Sequence, residues 1–233
     1  MNDLCNILWI IVTLLIVIFI TYIMRKRGYV SLTALYCTMA VTSAIAATKI
    51  VSIFGLFVPG GVIIYAASFL VTDLISEIYG KKAAMIAVYH GWGAMVIFAL
   101  YSLLIVDWEA APYWTNQEGF ESVVGLSFRI TMAGWISFLI SQKWNVWIFH
   151  LLKESSKQWI NKRLWVRNIL STVTSQVLDT VIFITISFYG IYEDLWGMIL
   201  AQYLIKLVIA VVDTPFAYLG RKILKSEIIQ ENN

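Results

Sequence analysis

Charged residues, proline and cysteine are all scarce in this sequence of 233 residues. Only 13% of the residues are charged and 60% are hydrophobic, whereas a soluble domain averages about 25% charged and about 45–50% apolar residues. Three prolines and 13 glycines exclude a collagen-like or proline-rich disordered chain, and two cysteines exclude a secreted disulfide scaffold. The composition therefore indicates an integral membrane protein with very little chain outside the membrane.

Seven apolar windows are long enough to cross a membrane as helices. A helix needs about 20 mostly apolar residues to cross about 30 Å of hydrocarbon, and runs such as residues 14–20 lack the period-two alternation of a barrel strand. We predict an all-α fold with a peripheral N-terminal helix and basic turn (1–30), a six-helix core (31–225) and a cytoplasmic tail (226–233). The windows are 4–24, 32–54, 62–79, 83–106, 122–142, 166–189 and 195–219.

The basic residues predict the orientation of these windows. Fourteen of the 17 Lys and Arg residues fall at alternate connections, after windows one, three, five and seven, and the opposite connections contain no Lys or Arg but six acidic residues. Because Lys and Arg remain on the cytoplasmic side, we predict an external N-terminus and a cytoplasmic C-terminus. The first window has an acidic start and is followed by its basic cluster, so we expect it to be retained rather than cleaved as a signal peptide.

Seven charged side chains remain inside the windows. Each costs about 2.5–3.5 kcal/mol at the bilayer centre on the insertion scale, so we expect them to face a shared polar interior. Two interpretations stay open. The charges are ion pairs that lock the bundle, for example Lys49 or Arg129 with Asp179, or they line a substrate pathway. Glu77 lies near the cytoplasmic end and could be an ordinary interfacial charge. The seven are Lys49, Asp73, Glu77, Arg129, Asp179, Lys206 and Asp213.

Polar residues accompany these charges at helical spacing. Successive residues turn by about 100°, which groups polar side chains on one face in four windows. A short likeness between residues 68–75 and 175–182 is explained either by a 3 + 3 inverted repeat or by chance. Asp213 precedes Pro215, and we expect a helix break there. The faces are Thr38, Thr42 and Lys49; Tyr65, Ser68, Thr72 and Ser76, flanked by Asp73 and Glu77; Thr172, Ser175, Gln176 and Asp179; and Gln202, Lys206 and Asp213.

Motifs of catalysis and cofactor binding are absent from the sequence. There is no GxxxxGK[ST] phosphate loop and no HExxH motif, so we expect no enzymatic activity, metal or cofactor. Interfacial histidines explain His90 and His150 more simply than a bis-histidine haem. Cytoplasmic charge and an aromatic belt explain the basic, Trp-rich segment 143–167, so we expect no nucleic-acid partner. Gly91 and Gly93 would allow close helix packing within the chain or in a homo-oligomer.

Four polar segments are distinctive in this sequence: Thr48-Lys49-Ile50, the run from Tyr65 to Gly80, the block from Arg167 to Phe183, and Lys206 with Pro215. Together they resemble the queuosine precursor transporter family, and the likeness covers about residues 32–220. The resemblance implies a multi-pass protein of the bacterial inner membrane that imports 7-deazaguanine precursors of queuosine, chiefly 7-cyano-7-deazaguanine and its aminomethyl relative. Asn145 stands where relatives often carry an acid, and the first helix is additional to the family core.

A purine-like ligand suits the chemistry of the intramembrane residues. Asp179 or Asp73 can accept hydrogen bonds from the ring and amine donors, and Gln176, Lys49 or Arg129 can donate to the carbonyl. Aromatic rings can stack on the base. Two other functions stay open: a substrate-binding membrane subunit energised by a separate ATPase complex, and a membrane haem or redox protein. The stacking candidates are Tyr65, Phe69 and Phe183.

Overall fold

Helices form nearly all of the structure. A computed structural model describes residues 3–124, 128–155, 158–190 and 193–231. In this part of the chain the strands form one short hairpin. The elements are α1 (Asp3–Met24), a 3₁₀ turn (Arg25–Arg27), α2 (Gly28–Ala46), β1 (Ile50–Ile53), β2 (Leu56–Pro59), α3 (Val62–Val106), α4 (Gln117–Val124), α5 (Phe128–Lys153), α6 (Gln158–Asn161), α7 (Leu164–Phe188), α8 (Leu195–Val212) and α9 (Thr214–Glu231).

The helices confirm the predicted all-α membrane class. Among the described residues, four stretches are long and apolar enough to cross a membrane by length and composition. Two of them, of 43 and 45 residues, are each long enough for two crossings. The predicted number of seven crossings stays a prediction. The four stretches are Leu4–Ala46, Val62–Val106, Leu164–Phe188 and Leu195–Val212.

A glycine with positive φ interrupts each of the two longest stretches. Gly28 has φ 64° and lies directly after the basic turn Arg25–Arg27. Gly80 has φ 86° and ψ 176° inside α3, just before Lys81 and Lys82. Glycine adopts this backbone region without the steric penalty that a Cβ would bring. The predicted boundaries between windows one and two, and between three and four, therefore lie at these breaks.

The second window was predicted as a helix to residue 54, and this is wrong after Ala46. The chain turns at Ala47 and forms the antiparallel hairpin β1–β2, in which Ile53 pairs with Leu56. Phe54 and Gly55 form the two-residue turn with φ 52° and 78°, as a type I′ turn requires. A short apolar run rich in β-branched residues fits a strand as well as a helix, so hydropathy alone could not separate the two.

The fifth and seventh windows have different limits in the structure. The helix α5 ends at Lys153, eleven residues beyond the predicted end, because its later polar residues face the protein interior and do not end the helix. The predicted break at Asp213 is confirmed, since α8 ends at Val212 and α9 begins at Thr214. Pro215 lies in the first turn of α9, where its missing N–H breaks no helical hydrogen bond.

The bundle buries the middle helices and leaves α1 at the periphery, as predicted. One face of α1, with Ile10 and Leu14, packs into the core, while Leu8 and Phe19 on the other face are exposed. The helix α3 packs against α2 and α5, and α7 packs against α5 and α8. Gly91 packs within the chain, because a Cβ there would lie 2.5 Å from the Tyr36 ring. These contacts place α3, α5, α7 and α8 around a common interior.

Candidate functional site

A cavity of about 380 Å³ lies between the hairpin and the helices α2, α3, α5, α7 and α8. Its position depends on a close approach of α3 to the end of α2, since a Cβ on Gly61 would lie 2.1 Å from the Ser43 carbonyl oxygen. The hairpin adds Ile50 and Pro59 to the lining. The polar side chains that line it are Ser43, Thr48, Tyr65, Ser137, Asp179, Gln202 and Lys206.

A buried ion pair forms one wall of this cavity. The Nζ of Lys206 lies 2.6 Å from Oδ2 of Asp179, and both residues are at most 3% exposed. Tyr65 donates its hydroxyl to Oδ1 of Asp179 at 2.6 Å, and Ser141 donates to the same oxygen at 3.2 Å. Lys206 also donates to the Thr180 hydroxyl at 3.1 Å. Three donors therefore converge on the two oxygens of one buried carboxyl group.

Aromatic rings and one free amide oxygen complete the cavity. Trp135 of α5 and Phe183 and Phe188 of α7 line it. The Lys206 ammonium lies 5.1 Å from the centre of the Tyr65 ring, within the range of a cation–π contact. The Oε1 atom of Gln202 is buried and has no hydrogen-bond partner among the described residues. The cavity therefore combines flat apolar walls with a few convergent polar groups, as ligand sites do.

A column of buried polar side chains continues from this cavity between α3, α5 and α7. The centre of the column is Asp73, whose Oδ1 accepts a hydrogen bond of 2.7 Å from the Asn145 amide. Ser175 donates to the Asn145 oxygen at 3.3 Å. Each member of the column is at most 2% exposed. The members are Ser68, Thr72, Asp73, Gln142, Asn145, Asn168, Thr172, Ser175 and Gln176.

Several atoms of the polar column have no hydrogen-bond partner in the described part of the chain. Both side-chain polar atoms of Gln176 are of this kind, as are Oδ2 of Asp73 and Oγ1 of Thr172. Buried polar atoms are nearly always paired in folded proteins, and an exception needs an explanation. One such explanation is that these atoms bind a polar cargo during only part of a transport cycle.

The column ends at a cluster of charges centred on Glu77. The carboxylate of Glu77 lies 2.6 Å from Arg167, 3.1 Å from Arg221 and 3.5 Å from Lys153. These three cations come from α7, α9 and the end of α5, so four elements meet at this point. We call Glu77, Lys153, Arg167 and Arg221 the Glu77 cluster. It gathers basic residues from separate connections at one end of the bundle.

The distance along the helix from the cavity end of the polar column to the Glu77 cluster is the same in α3, α5 and α7. In each of them, twelve residues separate Asp179 or a residue that donates to it from a residue of the Glu77 cluster. At 1.5 Å per residue this is about 18 Å, more than half of the roughly 30 Å hydrocarbon thickness. The helix α7 runs in the opposite direction to α3 and α5. The pairs are Tyr65 and Glu77 in α3, Ser141 and Lys153 in α5, and Asp179 and Arg167 in α7.

The structure brings together some of the predicted site residues and separates others. Tyr65, Asp179 and Lys206 meet at the cavity, whereas Asp73 and Gln176 lie in the column. The amide of Asn168 donates to Asp213 at 2.8 Å, beside the column. Glu77 is not an isolated interfacial charge but the centre of a cluster in which Glu77 and Arg167 are buried and Lys153 and Arg221 are partly exposed.

Two predictions about the cations are corrected. Lys49 is not a buried cation inside a helix, because the helix ends before it and its side chain is exposed. The partner of Asp179 is therefore Lys206 and not Lys49, while the side chain of Arg129 lies outside the described residues. Thr38 and Thr42 are also exposed. The Thr38 hydroxyl donates to the Ala34 carbonyl of its own helix, which lets a threonine face lipid at little cost.

Sequence reasoning missed one residue that lines the cavity and one that bonds to Asp179 behind it, and it misplaced a third. Trp135 lines the cavity and Ser141 donates to Asp179, but neither carries a charge, and their i, i+6 spacing in α5 gives no distinctive signal. Phe69 was a stacking candidate, but it is fully buried and packs edge-on against Tyr65 with ring centres 5.7 Å apart. Phe183 does line the cavity, as expected for a stacking residue.

The two histidines occupy different environments. His90 is exposed, and its Nδ1 lies 2.7 Å from the Ile86 carbonyl oxygen of its own helix. His150 is buried near the end of α5, with its ring 5.9 Å from that of Phe149. Neither histidine lines the cavity or belongs to the polar column.

Known proteins with similar sequences are bacterial transporters. A Bacillus subtilis protein named "Probable queuosine precursor transporter" is 27% identical over 95% of this chain and 97% of its own length. The Escherichia coli "Queuosine precursor transporter" is 26% identical over 70% of this chain and 72% of its own. No solved structure matches the chain at a significant level. Residues 59–220 match the family described as "Putative vitamin uptake transporter". The chain therefore belongs to this vitamin uptake transporter family.

Proposed function

We propose that this protein is a membrane importer of queuosine precursors, 7-cyano-7-deazaguanine or its aminomethyl relative. Its relatives are named as transporters of queuosine precursors, and its family is one of vitamin uptake. The observation that carries the proposal is the cavity that contains the buried pair Asp179–Lys206 at one end of a polar column. Fixed charges inside membrane helices are typical of substrate pathways.

The unused hydrogen-bonding capacity of the cavity suits a guanine-like edge. A carboxylate offers about four acceptor positions, and protein donors occupy three of those on Asp179. Lys206 has three donors and uses two of them. One acceptor on Asp179, one donor on Lys206 and the free oxygen of Gln202 therefore remain. A 7-deazaguanine ring carries N–H donors and a carbonyl acceptor that complement these three groups.

The apolar walls of the cavity suit a flat ring. A volume of about 380 Å³ falls in the range of about 300–1,000 Å³ for small-molecule sites. Stacking of a base on an aromatic side chain contributes about 1–3 kcal/mol. Trp135 of α5 and Phe183 of α7 offer such surfaces in the lining of the cavity. Shape and polar groups together favour a planar heterocycle over an elongated or highly charged cargo.

The proposed orientation places the cavity toward the outside and the Glu77 cluster toward the cytoplasm. The cluster contains basic residues of the predicted cytoplasmic connections, and basic residues remain inside. The protein would then lie in the bacterial cell membrane with its N-terminus external and its C-terminus cytoplasmic. Cargo entering the cavity would pass along the column when the Glu77 cluster separates, as alternating access requires.

The test of the proposal is uptake in cells that cannot synthesise the precursor. Such cells, supplied with low external 7-cyano-7-deazaguanine, should contain queuosine in their tRNA only when this protein is produced. Asp179→Asn should abolish the modification while the protein remains in the membrane, whereas Lys222→Met, at an exposed site on α9, should leave it intact. Unchanged tRNA queuosine in cells without the protein would contradict the proposal.

A reconstitution experiment separates an autonomous importer from a subunit of a larger complex. The purified chain alone should move labelled 7-cyano-7-deazaguanine into liposomes. Binding of the cargo to the detergent-purified chain without any movement into liposomes would instead favour a binding subunit energised by a separate ATPase.

A further inference from the structure

The carboxyl group of Asp73 is buried without a cationic partner in the described part of the chain. It is 2% exposed, its Oδ1 accepts only from the neutral Asn145 amide, and its Oδ2 has no hydrogen-bond partner there. A buried carboxylate that lacks a cation costs several kcal/mol, so such a group usually takes up a proton instead. Asp179 differs, since the ammonium of Lys206 contacts it directly.

The charges around Asp73 do not neutralise a carboxylate at this position. Two of the facing groups, Glu77 and Asp213, are acids themselves, and Arg167 already contacts the Glu77 carboxylate at 2.6 Å. The α5 face offers the neutral Asn145, and α5 and α9 direct Lys153 and Arg221 to Glu77. Along α5, Arg129 lies sixteen residues before Asn145, about 24 Å away. The charged groups that face this level of the bundle are Glu77, Lys153, Arg167, Asp213 and Arg221.

The position of Asp73 lies between the cavity and the Glu77 cluster. It follows Tyr65 by eight residues and precedes Glu77 by four, about 12 Å and 6 Å along α3. The same polar column contains other buried atoms without partners among the described residues, on Gln176 and Thr172. A proton on Asp73 could therefore be exchanged through either end of the column as the protein changes state.

We propose that Asp73 carries one proton inward in each transport cycle. Protonation from the outer side adds one H⁺ to the carboxylate and gives the neutral acid. Release to cytoplasmic water removes that H⁺ and restores the carboxylate, so protons and charge balance over the cycle. A neutral cargo then enters with one positive charge. The inference rests on the proposed function for its cargo, but it concerns the driving force and not the cargo site.

The experiment uses the full purified chain in liposomes with labelled 7-cyano-7-deazaguanine. Accumulation is measured with the outside one pH unit more acidic and the membrane potential held at zero with equal K⁺ concentrations and valinomycin, and exchange of labelled for unlabelled cargo is measured at equal pH. One proton per cargo supports up to about tenfold accumulation for one pH unit. Asp73→Asn should lose this accumulation, to a ratio near one, but still exchange cargo. Glu227→Gln, a buried acid bonded to Arg25, is the matched control and should accumulate cargo as the native protein does.

A second measurement keeps the proposal testable if Asp73→Asn fails to fold. Cargo entry through the native protein should make a weakly buffered external medium more alkaline, by one proton per cargo molecule. Cargo entry without this change, accumulation driven by sodium instead of protons, or normal accumulation by Asp73→Asn would overturn the proposal. Absence of any exchange by the native protein would instead contradict the importer function, so the two failures are distinguishable.

Discussion

Removal of the Lys206 charge should destabilise the protein strongly. In Lys206→Met the Asp179 carboxylate keeps its two hydroxyl donors but loses the cation 2.6 Å away. Removing one partner of a buried ion pair costs about 3–5 kcal/mol, because the other charge stays buried. For a chain of about this length 1 kcal/mol corresponds to about 2–4 °C in melting temperature. We therefore expect a decrease of about 6–20 °C.

Two further variants show whether the loss comes from the pair itself. Lys49→Met removes an exposed lysine, and such surface changes stay within about 0.5 kcal/mol. In the double variant Asp179→Asn with Lys206→Met neither charge of this pair remains, so its melting temperature should be higher than that of Lys206→Met alone. The measurement is thermal unfolding of the detergent-purified proteins by tryptophan fluorescence.

Two results would contradict a strong effect of the buried ion pair on stability. Equal melting temperatures for the Lys206→Met and Lys49→Met variants would mean that the loss of the buried cation does not destabilise the protein. If the double variant loses as much stability as Asp179→Asn and Lys206→Met together, the two side chains do not interact. Residues in contact show coupling energies of about 0.5–3 kcal/mol.

Three other substitutions test the backbone and the cavity. Gly80→Ala forces a Cβ into φ 86° and ψ 176° at about 1–3 kcal/mol and should lower the melting temperature by about 2–12 °C, whereas Gly93→Ala, which meets open space, should not lower it. Gly61→Ala should reduce the yield of monodisperse protein, because its Cβ would lie 2.1 Å from the Ser43 carbonyl oxygen; a normal yield would refute that close approach. Phe183→Ala should weaken binding of 7-cyano-7-deazaguanine roughly 5- to 150-fold in calorimetry if stacking contributes about 1–3 kcal/mol, and an unchanged affinity would remove it from the site.

The sequence predicted the polar interior because the physics of lipid makes it nearly obligatory. A charge inside an apolar helix must face protein, and helical spacing then determines which neighbours share its face. The stripe Thr172, Ser175, Gln176 and Asp179 is buried in the structure as this argument requires. The same logic placed Lys206 and Gln202 on the interior side of α8.

The choice of partners could not be predicted, since it depends on the arrangement of the helices. The sequence suggested Lys49 or Arg129 as the cation for Asp179, whereas the packing of α7 against α8 brings Lys206 to it. The hairpin was missed because a short run of mostly β-branched and apolar residues fits a strand as well as the end of a helix. Uncharged cavity residues such as Trp135 resemble ordinary packing residues in a chain with 15% aromatics. The inverted repeat, the homo-oligomer and the domain limits stay predictions.

A structure of the purified protein with bound 7-cyano-7-deazaguanine would test the central claim most directly. We expect the ring inside the cavity, with its donor edge on Asp179, its carbonyl near Lys206 and one face against Phe183. Cargo bound outside this cavity, or an Asp179–Lys206 pair that keeps its contacts with no cargo atom within hydrogen-bonding distance, would contradict the account.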